Sequence, residues 1–263
     1  MAKEKYDRKL TTQKKLLSIL LNLKQQLLIP VKKFISILHR KARRLDWYDL
    51  RSIKPIARKF GFYRGKPIDR YYIERFLLKN RHYIQGRILE VANDGYSKKF
   101  AINAQSIDIL HVTSNNPKAT LVADLTKLHS IPRDAFDCFI CTQTLQFIYN
   151  VSAAVQGIYQ ILGRGGVVLL TVPGISQISR DDNKRWGDYW RFTELSLVRL
   201  FSEVFGKENV HVESYGNVLS SIAFLEGLCV SELTTQELEH NDLDYQLVLT
   251  VVARKALSDP TDV

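Results

Sequence analysis

Four polar residues follow apolar runs that have the composition of strands in a parallel sheet. Glu90 closes the run 87–92, Asp124 follows a short apolar segment, and Thr142 and Gln143 follow the run 136–141. Because ligands of open α/β sheets bind outside the carboxyl ends of the strands, these side chains are expected to meet in one cleft. The spacing therefore predicts a nucleoside-binding site built from carboxylate, hydroxyl and amide groups.

Two histidines and an aromatic segment are the other candidates for chemistry. His111 lies in an apolar strand, which favours a core role, whereas His129 lies in a loop near the expected cleft and is the better candidate for a base. The segment 185–193 is rich in aromatic residues. There Tyr189 and Arg191 could line the wall of an acceptor site, with Arg191 gripping an anionic or sugar acceptor. The alternative is a lid that only packs on its own domain.

The three cysteines predict neither a metal site nor a disulfide framework. Cys138 and Cys141 have C-x-x-C spacing, but both fall in one predicted strand, where positions three apart point to opposite faces. A second C-x-x-C pair is missing from the sequence, so core positions are the better interpretation. We therefore expect no metal and a reducing, cytoplasmic compartment.

The order of elements indicates an α/β fold. Between residues 86 and 173 the pattern predicts a strand, a tight turn, a helix, three strands, a helix and a strand. Further helices are predicted at 69–79 with Asp69 as N-cap, at 194–205 with Thr193 as N-cap but no capping box, and at 219–232. The β-rich runs 210–215 and 244–254 predict an antiparallel edge hairpin.

From about Ile84 to Phe205 the chain resembles class I S-adenosylmethionine-dependent methyltransferases, of the type 11-like kind that is associated with glycosyltransferases. Arg87–Gly95 resembles the first cofactor motif, Ala123–Leu125 resembles the segment whose acid faces the adenine, and residues 162–172 resemble the glycine turn before the fifth strand. The resemblance implies a Rossmann-like methyltransferase sheet flanked by helices, with S-adenosylmethionine as cofactor. The cofactor-binding positions assigned in this way are Glu90, Ala92, Asn93, Gly95, Asn115, Asp124, Leu125, Thr142 and Gln143.

The chain departs from the family at the first motif and after the second strand. The family pattern is acid-x-Gly-x-Gly-x-Gly, and the matching residues here are Glu90, Ala92, Asp94 and Tyr96. The acid that binds the ribose has no counterpart, and Asn115 stands nearest its place. Two functions therefore stay open. One is methyl transfer to a small-molecule acceptor. The segment 185–193 resembles the lid of methyltransferases that are encoded alongside glycosyltransferases, and this resemblance suggests a saccharide or glycolipid as the acceptor. The other is a non-catalytic methyltransferase-like module for binding or scaffolding.

Composition divides the chain into a basic arm (1–45), a connector with a helix (46–83), a methyltransferase-like domain (84–256) and a flexible tail (257–263). The arm holds 13 Lys and Arg against two acids, and the rest holds 25 of each, so the net charge of +11 resides in the arm.

The apolar runs of the arm fall short of the ~20 residues that span a membrane. An amphipathic helix on an anionic membrane surface and a solvated arm packed loosely on its own domain are both open. Nucleic acid is not expected, because interleaved aromatic residues are missing from the arm.

Overall fold

The computed structural model describes residues 48–257. The predictions for the basic arm 1–45 and for the tail beyond residue 257 lie outside the described residues. The chain divides into two compact units, Met1–Ile53 and Lys54–Val263. Of the first unit, the described part contains a single 3-10 turn, Tyr48–Arg51. The second unit contains the sheet and its helices.

The second unit is built on a seven-stranded sheet with the order β3-β2-β1-β4-β5-β7-β6. The strands are β1 (Gln85–Val91), β2 (Asn103–His111), β3 (Leu121–Val122), β4 (Phe136–Thr142), β5 (Leu162–Pro173), β6 (Val210–Tyr215) and β7 (Val248–Arg254). The helices are α1 (Ile68–Lys79), α2 (Gly95–Phe100), α3 (Val151–Ile161), α4 (Arg180–Arg185), α5 (Glu194–Phe205), α6 (Val218–Glu226) and α7 (Thr235–Glu239).

The topology confirms the predicted fold class. Strands β1 to β5 pair in parallel, and β7 pairs antiparallel with both β5 and β6. The predicted antiparallel pair is therefore present, with β6 at the edge and β7 inside it. From β1 the chain first runs outward to β2 and β3 and then returns to β4 on the other side of β1. This reversal opens a crevice at the carboxyl ends of β1 and β4, which is where open α/β sheets bind ligands.

The core lies in two layers, one on each face of the sheet. One layer packs α3 and α5 through residues such as Val155 and Phe201, and the other packs α1, α2 and α6 through residues such as Phe76 and Phe224. Alternation along β4 sends Cys141 into the first layer and Cys138 into the second. Both thiols are fully buried, so the interpretation of this C-x-x-C pair as core is confirmed.

Two helices begin differently from the prediction. Helix α1 begins at Ile68 with Pro67 as N-cap, so Asp69 lies in the first turn and is not the cap. Proline fits this position because the first backbone N–H groups of a helix have no intrahelical acceptor. Helix α5 does have Thr193 as N-cap, but the expectation of no capping box was wrong. Ser196 exchanges hydrogen bonds with Thr193 in the role that glutamate often has.

Helix α6 is shorter than the predicted 219–232. It ends at Glu226 because Gly227 takes a left-handed conformation with φ of 75° and closes the last turn. The residues Val230–Glu232 form a separate 3-10 turn. The apolar run in the sequence continues across the break, which is why the pattern predicted one helix. The glycine at its end was the signal that the chain turns.

Candidate functional site

A cavity of about 720 Å³ opens at the carboxyl ends of β1, β2 and β4, at the crevice that the strand order creates. This volume falls in the range of about 300–1,000 Å³ that small-molecule sites occupy. The predicted site residues that line it are Glu90, Ala92, Asn93, Asp124, Leu125, Thr142, Gln143 and Tyr189. Four others lie off its wall, namely Gly95, Asn115, His129 and Arg191. The cleft that the strand ends predicted is therefore present.

Glu90 is a buried carboxylate that holds the loop between β1 and α2. Its two oxygens accept hydrogen bonds from the backbone N–H of Tyr96 and from both the N–H and the hydroxyl of Ser97, at 2.6–3.1 Å. Burial raises the pKa of Glu90, and the hydrogen bonds from Ser97 and Tyr96 offset part of that rise. Glu90 thus caps the first turn of α2 and sets the shape of the cavity floor.

Ala92 keeps a glycine-like backbone although it is not glycine. Its φ is 68°, in the left-handed region that costs an L-residue roughly 1–2 kcal/mol. Its N–H donates to the Leu110 carbonyl at 2.9 Å, and its carbonyl accepts from the Asn116 side chain at 2.8 Å. The loop therefore keeps a positive φ at the position where the family pattern has its first glycine.

The loop keeps one glycine, Gly95, and the structure requires a glycine less strictly there than its place in the motif suggested. Gly95 begins α2 without a positive φ, and a Cβ built on it would approach only the Asn93 side-chain oxygen, at 2.9 Å. The amide that contacts the loop from the end of β2 belongs to Asn116, one residue after the predicted Asn115, which is exposed. The role predicted for Asn115, a hydrogen bond to the ribose, is a different contact and stays a prediction.

Asp124 lies after β3 on the opposite wall of the cavity. Its Oδ1 accepts hydrogen bonds from the backbone N–H and the hydroxyl of Thr126, at 2.9 and 2.7 Å, and Lys127 lies 3.6 Å from Oδ2. Partial burial disfavours the charge, but these hydrogen bonds and Lys127 outweigh it, so the pKa of Asp124 is lowered. The lowered pKa favours the anion, and within residues 48–257 Lys127 is the one contact recorded for Oδ2.

Gln143 is the second strained residue on the wall. Directly after β4 it takes a φ of 47°, and its N–H donates to the Thr171 carbonyl at 2.8 Å. Its buried Nε2 has no hydrogen-bond partner. Strained backbone and unpaired buried amides concentrate where a ligand binds, because the scaffold must hold them in place before the ligand arrives.

His111, for which the sequence favoured a core role, and Trp186, from the aromatic segment 185–193, form part of the cavity wall. The Nδ1 of His111 lies 2.8 Å from the Thr113 carbonyl, and its ring makes an edge contact with Trp186 at 5.6 Å between centroids. Both residues line the cavity, whereas His129, the favoured candidate base, lies exposed in a 3-10 turn away from it. Because His111 closes β2, strand ends alone would have located it.

The mouth of the cavity carries exposed aromatic rings. Tyr149 and Tyr189 line it and pack edge to face at 5.4 Å between centroids. Trp190 lies 5.9 Å from Tyr149, and its indole N–H donates to the carbonyls of Ile148 and Tyr149. The sequence predicted an aromatic wall in this segment and named Tyr189, while Tyr149 comes from the loop after β4.

Arg191 holds the segment 185–193 in place, and all of its hydrogen-bond donors are used within the protein. Its guanidinium donates to both oxygens of Asp188 and to the carbonyls of Ser176, Gln177 and Trp190. These five contacts use all five N–H groups of an arginine side chain. In this conformation Arg191 binds its own segment, and a role in gripping an anionic or sugar acceptor stays a prediction.

Helix α1 contributes a residue that the strand-end argument could not find. Arg70 lines the cavity, and its guanidinium donates to the Tyr96 hydroxyl at 2.9 Å. Tyr96 occupies the third glycine position of the family pattern, so its ring fills space there and its hydroxyl fixes Arg70. The signal available in the sequence was the helix predicted at 69–79, directly before the first strand.

These features fit S-adenosylmethionine. The left-handed turn at Ala92 brings backbone close to the cavity, Asp124 offers a carboxylate oxygen, and aromatic rings line the mouth. All three glycines of the pattern are replaced, by Ala92, Asp94 and Tyr96, without closing the cavity. Within residues 48–257 no cluster of His, Cys, Asp and Glu could hold a metal ion, and no helix there is long and apolar enough to cross a membrane.

Comparison with known proteins gives one family match. Residues 85–170 match the model of a family described as "Methyltransferase domain". No curated protein matches the chain in sequence. Among solved structures, a SAM-dependent methyltransferase from Archaeoglobus fulgidus is similar at 13% identity and a TM-score of 0.48, over 80% of this chain and 100% of that one.

Two other solved structures show similarity at the same level. A SAM-dependent methyltransferase from Mesorhizobium loti has 16% identity and a TM-score of 0.45, over 72% of this chain and 98% of that one. A phosphoethanolamine N-methyltransferase 2 from Haemonchus contortus, in complex with S-adenosylhomocysteine, has 14% identity and a TM-score of 0.45. The similarity extends over 69% of this chain and 52% of that one.

The family match and the strand order confirm the class that the sequence predicted. Residues 85–170 match the methyltransferase-domain family, and the mostly parallel seven-stranded sheet has the architecture that the sequence predicted. S-adenosylmethionine is the cofactor of this class. The predicted association with glycosyltransferases stays a prediction.

Proposed function

We propose that the protein transfers a methyl group from S-adenosylmethionine to a small-molecule acceptor, and that this acceptor is a saccharide or glycolipid. The observation that carries the proposal is the cavity of about 720 Å³ at the switch point of a methyltransferase sheet, with an aromatic mouth. Aromatic rings stack on the apolar faces of sugars, and Tyr149 and Tyr189 are 71% and 51% exposed there. The resemblance of the lid segment is the second support.

The residues of the cavity would act mainly by positioning. When bound, S-adenosylmethionine supplies a methyl group on a positively charged sulfur. The acceptor would attack the methyl carbon in line with the carbon–sulfur bond, and the sulfur would leave. Glu90 holds the turn at Ala92 that faces the ligand, and Asp124 offers an acceptor for a nucleoside N–H. Tyr149 and Tyr189 would cover the mouth and exclude water. Holding two reactants in this way supplies a large part of the rate enhancement without a catalytic base.

Calorimetric titration with S-adenosylmethionine and S-adenosylhomocysteine tests the cofactor part. We expect micromolar dissociation constants, with Asp124→Ala weakening binding about tenfold because one charge-assisted hydrogen bond is lost. Asp244→Ala, an exposed acid off the cavity wall, is the matched control and should bind like the wild type. A folded protein that gives no heat at millimolar ligand would favour the non-catalytic binding or scaffolding module.

We also propose that the basic arm 1–45 brings the protein to an anionic membrane surface in the cytoplasm, where a glycolipid acceptor would be presented. The support is compositional, because the arm carries the whole net charge of +11. Anionic headgroups attract such segments with about 1 kcal/mol per basic residue near the surface.

A further inference from the structure

A second, smaller cavity adjoins the first. It has a volume of about 160 Å³, and the two cavities share four lining residues, Arg70, Gln143, Phe147 and Asp182. Its volume is about a fifth of that of the first cavity, which favours a compact occupant. The position beside the larger cavity is where an acceptor would have to lie.

Two side-chain amides in this cavity each have one atom without a hydrogen-bond partner in the described part of the chain. Gln146 is 4% exposed, and its Nε2 contacts the Oε1 of Gln143 at 3.3 Å. This contact leaves the Oε1 of Gln146 and the Nε2 of Gln143 buried without a hydrogen-bond partner. A buried amide group without a partner costs free energy, about 1–3 kcal/mol. One free acceptor and one free donor, on two amides that contact each other, match a ligand hydroxyl, which donates and accepts at once.

Asp69 also faces the small cavity. Its Oδ1 accepts the backbone N–H of Arg70 at 2.8 Å, and no contact of the carboxylate with a lysine or arginine side chain falls within ion-pair distance in the described residues. Burial raises the pKa of this carboxyl, and the charge of Arg70 and the hydrogen bond from its N–H offset only part of the rise. An ionised carboxylate with a raised pKa is a better proton acceptor than a free aspartate.

The other charged groups around the cavity favour a neutral occupant. The Asp188 side chain is 1% exposed and pairs with Arg191, whose donors are all used. Asp182 accepts the Ser179 hydroxyl at 2.5 Å, and Arg70 donates to Tyr96. The lining of the small cavity contains three aspartates and two arginines, so an anionic group would be repelled. An amine is the competing occupant, and the test below separates it from a hydroxyl compound.

We infer that the small cavity binds one compact, neutral, polyhydroxylated group of the acceptor, with the amides of Gln143 and Gln146 on its hydroxyls and Asp69 as the general base for the hydroxyl that is methylated. This inference rests on the proposed function and narrows it to O-methylation. The acceptor O–H bond breaks and its proton goes to the Asp69 carboxylate. The oxygen forms a bond to the methyl carbon while the carbon–sulfur bond breaks and its electron pair stays on sulfur. Protonated Asp69 then returns its proton to solvent.

The first test uses ligand-detected saturation-transfer NMR on the full chain loaded with S-adenosylhomocysteine. The probes are methyl α-glucoside, methyl α-galactoside and myo-inositol, with ethanolamine as the amine probe. We expect signals from at least one hydroxyl compound, at least a fivefold loss of signal in Gln146→Leu, and wild-type signal in Asp181→Asn. Asp181 is exposed and lines neither cavity. Binding of ethanolamine alone, or of no probe, overturns the inference.

The second test follows the Asp69 carboxyl carbon by NMR between pH 3 and 8, with Asp69→Asn for assignment. A midpoint above the ordinary 3.8 is expected, and a midpoint at or below it overturns the role as base. With the glycoside that binds best, Asp69→Asn should lower kcat by about 10²–10⁴-fold and remove the acidic limb of the pH profile. Its affinity for S-adenosylhomocysteine should be unchanged. Failure of the wild type to bind S-adenosylhomocysteine instead contradicts the proposed function itself.

Discussion

At the scale of single residues, the cavity wall is built on backbone that its residues adopt at a cost. Ala92 and Gln143 both have positive φ, and both directly follow a strand that ends at the cavity. The sequence shows Ala92 only as a missing glycine. The structure shows that the glycine conformation persists, because the Asn116 amide and the Leu110 carbonyl hold the loop from β2.

Replacing Ala92 by glycine tests this strain. Relief of roughly 1–2 kcal/mol is partly offset by the entropy of glycine, roughly 0.5–1 kcal/mol, so Ala92→Gly should stabilise the protein by about 0.5–1 kcal/mol. That corresponds to a Tm higher by about 1–4 °C in a thermal melt. Ala101→Gly is the matched control, because Ala101 has a φ of −60° and should lose stability instead. Equal losses in both variants would mean that Ala92 is not strained.

The limits of sequence reasoning at this scale follow from particular contacts. Strand ends placed Glu90, Asp124 and Gln143 on the cavity wall, since parallel strands bring their carboxyl ends together. Residue type alone suggested that Arg191 is a binding group, yet three of its partners are backbone carbonyls, which no sequence pattern displays. Arg70 was missed because it comes from a helix that precedes the sheet.

At the scale of elements, helix α3 depends on one glycine for its approach to the cavity. A Cβ built on Gly157 would lie 2.1 Å from the carbonyl oxygen of Leu125 and 2.8 Å from the Ile131 side chain. Leu125 lines the cavity next to Asp124. The helix therefore presses directly on the loop that carries one wall of the site.

Gly157→Ala should destabilise the protein even though alanine favours helix by about 1 kcal/mol. The clash with backbone forces α3 or the loop to shift, and such overpacking costs about 1–3 kcal/mol. We expect a lower Tm by circular dichroism together with weaker binding of S-adenosylhomocysteine in calorimetry. Ser152→Ala, at an exposed position of the same helix, should leave both unchanged. A gain of stability in Gly157→Ala would show that α3 does not press on the loop.

The edge strand β6 is tied to helix α1 through Glu213. The carboxylate contacts Lys79 at 2.6 Å, the Tyr215 hydroxyl at 2.8 Å and His211 at 3.2 Å. Burial disfavours its charge, but the hydrogen bonds from Lys79, Tyr215 and His211 outweigh burial and lower the pKa of Glu213 from 4.5 to about 2.

The lowered pKa of Glu213 predicts a pH dependence of stability. A carboxyl with a folded-state pKa below its unfolded value stabilises the fold above pH 4.5 and loses that contribution as the pH falls towards 2. Urea melts of the wild type and Glu213→Gln should therefore differ most near neutral pH and converge between pH 4.5 and 2. Glu203→Gln, in an exposed pair with Arg199, should follow the wild type at every pH. A constant difference between wild type and Glu213→Gln would contradict the assignment.

At the scale of the whole molecule, the order of strands was the most predictable property. Apolar runs of strand length alternate with helical patterns, and parallel strands are joined by right-handed crossovers, so few strand orders are possible. The ends of elements were less predictable, as α6 shows, because Gly227 closes that helix inside a continuous apolar run. The charge division between the arm and the rest is visible in the sequence alone.

The charge division predicts salt-dependent binding to anionic vesicles. A variant of the full chain with four basic residues of the arm changed to glutamine should partition to phosphatidylglycerol vesicles at least a hundredfold less, at about 1 kcal/mol per residue. The four positions are Lys32, Lys33, Arg40 and Lys41. Co-sedimentation at rising salt measures the effect.

A matched variant separates the arm from general charge. It removes four exposed lysines of the methyltransferase-like domain, at Lys98, Lys99, Lys118 and Lys207. This variant should bind vesicles like the wild type. Equal losses in the two variants would show that total charge, rather than the arm, governs binding.

The buried cysteines give this protein a built-in reporter of local opening. Cys138, Cys141 and Cys229 are at most 1% exposed, and burial raises the pKa of Cys141 to about 12, so a thiol reagent can react only with molecules that have opened. Cys138 and Cys141 lie on opposite faces of the central strand, whereas Cys229 packs beside the Arg64 carbonyl. The relative labelling rates of the three thiols would therefore yield opening free energies for both core layers and for the segment after α6, in native buffer and without denaturant.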